Sequence, residues 1–135
     1  MTRHGRENIS SGSAFEASYG YSRAVRVGSQ VFMSGTTAIQ ADGTMGGGSD
    51  AYGQAMAAFG KIEAILRRAG AKASDIVRTR IFLKDIALYS GVERAHREFF
   101  GVIRPAATLV EVTGFVRTEM LLEVEVDVVI SASDN

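Results

Sequence analysis

The stretch LLEVEVDVVI, residues 121–130, carries Glu123, Glu125 and Asp127 at alternate positions, with Leu122, Val124, Val126 and Val128 between and beside them. A carboxylate enclosed in a cleft can take a proton from water and later return one to a leaving group. On an open strand face the same carboxylate is only surface charge. Alternation with period two assigns the stretch to a strand with one buried face, valines inward and acids outward. What the acids look at is left open by this stretch alone.

Other chemistry is sparse. Gly46, Gly47 and Gly48 precede Ser49 and Asp50 at a helix start, where backbone amides can cradle a phosphate. No P-loop lysine follows, however, and Asp50 would repel an anion, so a turn is the expectation. His4 and His96 are the two histidines; neither has a second ligand at metal-binding spacing, so no metal is expected. No serine sits in a nucleophile elbow. Arg67, Arg68 and Lys72 cluster where positive charge favours a helix C-terminus. With 15 Lys+Arg against 15 Asp+Glu, no global field draws the chain to nucleic acid or an anionic membrane, and neither is expected as a partner. The absence of cysteine excludes thiolate chemistry and disulfides and fits a reducing cytoplasm. No apolar run reaches signal-peptide or bilayer length, so the protein is expected to be soluble and cytoplasmic.

The elements that hold these residues follow from periodicity and punctuation. The first residues, rich in Ser, Gly and charge, read as a mobile arm over 1–18, with order beginning near residues 19–21. Residues 19–131 read as a single domain, a size that can bury its own core. Residues 22–27 and 30–34 form a hairpin around Gly28 and Ser29. After a glycine-rich loop, Ser49 or Asp50 caps an amphipathic helix in which Ala51, Ala55, Met56, Phe59, Ile62, Leu66 and Ala69 share a face, with Gly70 as its stop. Residues 77–85 alternate again, with Val77, Thr79, Ile81 and Leu83 inward and Arg78, Arg80, Phe82 and Lys84 outward. A second helix spans 89–100, Pro105 opens a further strand, and the acidic strand closes the chain. The order β-β-α-β-α-β-β predicts an α+β protein, a mixed sheet of about five strands with two helices on one face. The other face then carries Arg78 and Arg80 across from Glu123, Glu125 and Asp127, a charge-complementary surface suited to self-association.

Taken together, YSRAVRVGSQVFMSGT, GAKASDIVRTRIFLKD, the helix end AHREFFG, RPAATLVEV and LLEVEVDVVI stand in the order and at the spacing of the Rid family, also called YjgF. The chain resembles these small cytoplasmic proteins, which hydrolyse reactive enamines and imines, over nearly its whole length. The resemblance implies a chorismate-mutase-like α+β fold, a homotrimer, a small-molecule ligand in clefts at the subunit boundaries, and no cofactor. It would turn the acidic face of the last strand toward the trimer interior and the clefts.

Carried over position by position, Tyr21 matches the tyrosine that closes the cleft, Gly35 the glycine whose backbone lies beside the ligand, and Glu123 the glutamate that holds or activates water. Deaminating members hold the substrate carboxylate with an arginine, a bidentate fork, where this chain has Ala107. The following site position, commonly cysteine, is Leu109, and the second helix's site positions are Glu93 and His96. Arg104, Arg80 and Arg23 are candidates to replace the missing cation. Two functions follow from the resemblance: hydrolysis of an enamine or imine with Glu123 as catalytic group, or binding of a metabolite without turnover. A third, RNA cleavage, follows a label some members carry and is opposed by the neutral charge and the lack of a paired histidine acid and base.

Overall fold

The computed structural model describes residues 2–3 and 5–132; His4 lies outside them. In chain order the elements are β1 (Thr2–Arg3), β2 (Arg6–Ile9), α1 (Ala14–Tyr19), β3 (Ala24–Val27), β4 (Gln30–Met33), α2 (Ala51–Arg68), β5 (Ile76–Leu83), α3 (Tyr89–Phe100), β6 (Ala106–Glu111) and β7 (Leu122–Val129). The strands form one sheet of seven, ordered β1-β2-β3-β4-β7-β5-β6. All pairs are antiparallel except β5 and β6, which run parallel because α3 carries the chain back between them.

Each element has a local cause. The β3–β4 hairpin pairs Val27 with Gln30 around Gly28, whose φ of 60° suits the first central residue of a tight hairpin turn. Asp50 caps α2 by accepting from the Gly53 N–H at 2.9 Å, a bond of the kind that contributes about 1 kcal/mol. Both long helices lie on one face of the sheet. Phe59, Ile62 and Leu66 of α2 and Val92 and Phe100 of α3 are buried with Val31, Ile81, Leu83, Leu122, Val124 and Val126. The valines of the acidic strand therefore do point inward, as their alternation predicts.

On the other face Arg78 stands opposite Asp127, Arg80 opposite Glu125, and Phe82 opposite Glu123. Arg80 reaches Asp127 at 3.0 Å and Glu125 at 3.4 Å, and Arg78 reaches Asp127 at 3.7 Å. Pairs this exposed stabilise by only ~0.2–1 kcal/mol each, so they fix register more than they hold the fold. Phe32, Val27 and Val129 lie exposed on the same face.

Three expectations need correction. Val77 is not inward. Ile76 pairs with Val128 and Arg78 with Asp127, so one extra residue bulges between them; the bulge turns Val77 to solvent and buries Ile76. The sheet has seven strands where about five were predicted, because the segment expected as an arm over 1–18 adds two. There β2 pairs with β3 along Arg6–Ile9, and Ile9 is buried in the core. The serines and glycines that suggested mobility serve other ends. Ser13 caps α1, and Ser10 and Ser11 donate to the carboxylate of buried Glu16. Those bonds hold the Glu16 carboxyl below its ordinary range against the opposing effect of burial.

Candidate functional site

Glu123 stands on β7 with its side chain on the sheet face away from the helices. The strand β4 ends at Met33, and the chain runs on through Ser34 and Gly35 to Thr36, which forms an isolated bridge with Val124. The Thr36 N–H donates to the Val124 carbonyl at 2.7 Å, and the Val124 N–H to the Thr36 carbonyl at 2.9 Å. That bridge lays Gly35 directly on the neighbouring Glu123 carboxyl. A Cβ at Gly35 would sit 2.6 Å from Glu123 Cδ and 2.7 Å from Oε2, so the carboxyl holds this position only because residue 35 has no side chain.

The Arg23 guanidinium closes the other side. It donates to the Gly35 carbonyl and lies 5.5 Å from the centre of the Tyr21 ring, while its buried Nε has no hydrogen-bond partner among the described residues. Tyr21, Arg23, Gly35 and Glu123 thus form one cluster. Burial raises the Glu123 carboxyl above its ordinary value of 4.5; the positive charge of Arg23 opposes the shift and the charge of Glu125 adds to it. A carboxyl raised in this way holds and releases a proton nearer neutral pH, as a general acid or base requires. Lys61 of α2 donates to the carbonyls of Thr37 and Ile39 at 2.8 and 2.6 Å and so ties the segment after Gly35 to the helix layer. Burial, and secondarily the charge of Arg23, lowers its pKa.

The remaining predicted residues lie elsewhere. A cavity of about 430 Å³ opens between α3 and the β5–β6 edge, lined among others by Glu93, His96, Arg97, Ala107 and Leu109. Its floor follows from register: Thr79 pairs with Ala107 and Ile81 with Leu109, all pointing to the helix side. His96 Nε2 and Thr79 Oγ1 are 2.9 Å apart, and the imidazole packs 4.7 Å from the Phe100 ring centre. Burial lowers the His96 pKa, which favours the neutral ring. Glu93 accepts from the Tyr89 hydroxyl at 3.2 Å.

Within one chain, then, Tyr21, Gly35 and Glu123 come together, and Glu93, His96, Ala107 and Leu109 come together, but the two groups face opposite sides of the sheet. None of the three arginines expected to replace the missing cation lines the cavity. Arg80 is engaged with Asp127 and Glu125, Arg23 with Gly35, and Arg104 sits at the corner between α3 and β6 with a φ of 53°. Arg97 lines it instead. Its spacing from Glu93, four residues along the same helix, is the signal that could have placed it. Gln54 is a second residue that periodicity does not single out. Fully buried, it donates to the carbonyls of Gly48 and Glu119 at 2.7 and 2.9 Å and accepts from the Leu121 N–H at 3.0 Å, so it anchors the entry to β7. Among the described residues no group of three or more His, Asp or Glu is placed to hold a metal ion, and no helix is long and apolar enough to cross a membrane.

A mixed sheet covered on one face by two helices, with a glutamate pressed against a glycine backbone on the other, defines a small α+β protein of chorismate-mutase-like fold. The sequence profile of the family described as endoribonuclease L-PSP matches residues 11–130. An uncharacterised protein of Streptomyces coelicolor is 37% identical over 135 residues, covering 100% of both chains. The 3-aminoacrylate deaminase RutC of Acinetobacter baylyi is 30% identical over 104 residues, 77% of this chain and 82% of that one. Among solved structures, Rv2704 of Mycobacterium tuberculosis, a member of the YjgF/YER057c/UK114 family, superposes with a TM-score of 0.84 at 42% identity, covering 93% of this chain and 99% of that one. The chain belongs to the endoribonuclease L-PSP family, the YjgF or Rid group.

Proposed function

We propose that the protein is a homotrimeric hydrolase of enamines and imines, in which each site joins the Glu123 cluster of one subunit to the α3–β6 cavity of its neighbour. The observation that carries this reading is the Glu123 carboxyl, desolvated and set against Gly35. The deaminase relative at 30% identity points the same way. So does the division of the site residues between two faces of the sheet, because a shared boundary is the simplest way for both groups to meet one ligand.

In the reaction, water adds to the carbon of a protonated C=N bond while the Glu123 carboxylate takes one of its protons. The carbinolamine that results carries a hydroxyl and an amine on one carbon. The acid form of Glu123 returns the proton to the nitrogen; as the C–N bond breaks the regenerated carboxylate takes the hydroxyl proton, a carbonyl compound and ammonia leave, and Glu123 passes that proton to the next imine. An enamine enters the same path once it has tautomerised to the imine. Gly35, with no side chain, leaves its backbone open beside the reacting carbon, and Tyr21 covers the cluster from the β3 side.

A second reading, metabolite binding without turnover, has one observation in its favour: Ala107 offers no charge to a carboxylate from the cavity floor. RNA cleavage, the activity in the family's description, lacks support here, since the chain balances 15 Lys+Arg against 15 Asp+Glu and the cavity's histidine is bonded to Thr79.

Ammonia and carbonyl release from imines generated in situ decides between enzyme and binder. Turnover by the native protein that is lost in Glu123→Gln supports the hydrolase; equal background release from both proteins leaves the binding module.

A further inference from the structure

The cavity between α3 and β6 has Thr79, Ile81, Ala107 and Leu109 in its floor and, among the described residues, one Lys or Arg on its wall, Arg97. Arg78 and Arg80 are spent on Asp127 and Glu125 across the sheet, and Arg23 on Gly35. Arg94, Arg97's neighbour on α3, lies 3.7 Å from the centre of the Tyr52 ring and reaches Glu98 at 3.7 Å. Arg97 alone among these lines the cavity. Its guanidinium makes no hydrogen bond or ion pair among the described residues, although Glu93 stands one turn away on the same helix. The Glu93 carboxylate already accepts from Tyr89, and His96 is bonded to Thr79. An exposed guanidinium on the rim of a concave site of about 430 Å³, with apolar surface at Ile81, Ala107 and Leu109, is an arrangement that suits a small organic anion, with its hydrocarbon part on that surface and its charge at the fork.

We propose that Arg97 is the anchor for the ligand's carboxylate, so that the anionic end of the substrate is gripped from helix α3 and not from strand β6. This rests on the hydrolase reading for its reaction but not for its binding step. With alanine at 107, the floor of Ala107, Leu109 and Ile81 is left to the substrate's side chain. The ligand class is therefore a small carboxylate with a branched or aromatic side chain, which under the hydrolase reading is carried by an imine. The balanced step is R–C(=NH)–COO⁻ plus H₂O giving R–C(=O)–COO⁻ plus NH₃, in which Arg97 touches only the carboxylate and moves no proton.

Binding and turnover are measured separately. Native protein, Arg97→Gln and Arg97→Lys are titrated by calorimetry with 4-methyl-2-oxopentanoate, the product of the leucine-derived imine, and with its neutral amide. Arg97 is exposed, so both variants are expected to fold. The proposal requires that the native protein bind the acid better than the amide and that Arg97→Gln weaken the acid roughly ten- to a hundredfold. The amide should be unchanged, with part of the affinity regained in Arg97→Lys. Equal binding of the acid by native protein and Arg97→Gln, or failure of the native protein to bind it at all, overturns the proposal even if imines are hydrolysed. Selective, Arg97-dependent binding without turnover keeps the anchor and removes the hydrolase reading. In turnover, Arg97→Gln should raise KM for the leucine-derived imine and leave kcat within about twofold.

Discussion

Gly35 and Glu123 approach so closely that any other residue at position 35 would force the carboxyl to swing away: a Cβ there would lie 2.6 Å from the carboxyl carbon and 2.7 Å from Oε2. Gly35 is not among the glycines of positive φ, so the requirement comes from space and not from backbone conformation. Gly35→Ala should therefore fold, at a cost of about 1–3 kcal/mol for the overpacking, while pushing the carboxyl away from its place against the backbone. Imine hydrolysis should fall by roughly a hundredfold, the scale of a displaced catalytic group. A melting curve and a rate assay on the same sample separate the two effects; unchanged turnover would show that the Glu123 position does not matter to the chemistry.

The raised pKa of Glu123 gives a signed prediction. Burial is the main cause, so the folded protein holds the proton more tightly than the unfolded chain, whose carboxyl ionises near 4.5. Between 4.5 and the raised value the unfolded chain loses its proton first, and stability falls as pH rises; below 4.5 the penalty is absent, and above both values it is present in full. Glu123→Gln should therefore melt higher than the native protein at pH 7–8 and the same at pH 4, while losing hydrolysis. In native protein the rate limb assigned to Glu123 as a base should rise with pH from a midpoint above 4.5. A variant that melts lower at pH 8 would mean the ionised carboxylate is stabilised, with Arg23 outweighing burial.

Gln54 holds the loop that leads into β7 through three hydrogen bonds to Gly48, Glu119 and Leu121. Gln54→Leu keeps the volume and orphans three backbone groups, each a loss of about 1–3 kcal/mol when buried. Denaturant unfolding should show at least ~3 kcal/mol lost. Because β7 carries Glu123, activity should fall further than the unfolded fraction explains.

Gln54 also marks where the sequence stops speaking. Alternation located β5 and β7, and the stop at Gly70 and the face of α2 were legible because burying a continuous apolar stripe leaves a periodic trace. A polar residue buried by three partners leaves none, and the residues that tie it down lie up to 67 positions away. The bulge at Val77 is equally silent, since it reflects how β5 accommodates β7 and not the composition of either. Serines of the first segment misled because the same residue type makes caps and flexible chain. At the site, the family resemblance supplied Glu123, Gly35 and Tyr21; Gly35 lies against Glu123, and Tyr21 is linked to them through Arg23. That Ala107 and Leu109 face the other way depends on the parallel register of β6 against β5, which no local pattern encodes. Arg97 stands at helical spacing from Glu93, a legible signal, but that this helix face meets β6 across a cavity is shown only by the fold.

That division between faces leads to a test of the shared site. If Glu123 of one subunit works with the cavity of the next, two inactive proteins can repair each other. Glu123→Gln keeps an intact cavity, and Leu109→Arg, which fills the cavity floor, keeps an intact Glu123. Alone, each should form trimers with no functional boundary. Unfolded together in equal amounts and refolded, they should assemble at random, and each boundary then pairs a native Glu123 with a native cavity with a probability of one half times one half. About a quarter of native activity should return for a closed ring of boundaries, with KM near the native value, because the recovered sites are complete. Sites built within single chains would recover nothing, since every chain carries one defect. Light scattering on the mixture confirms that trimers form in both cases, so that a null result speaks to the location of the site and not to failed assembly.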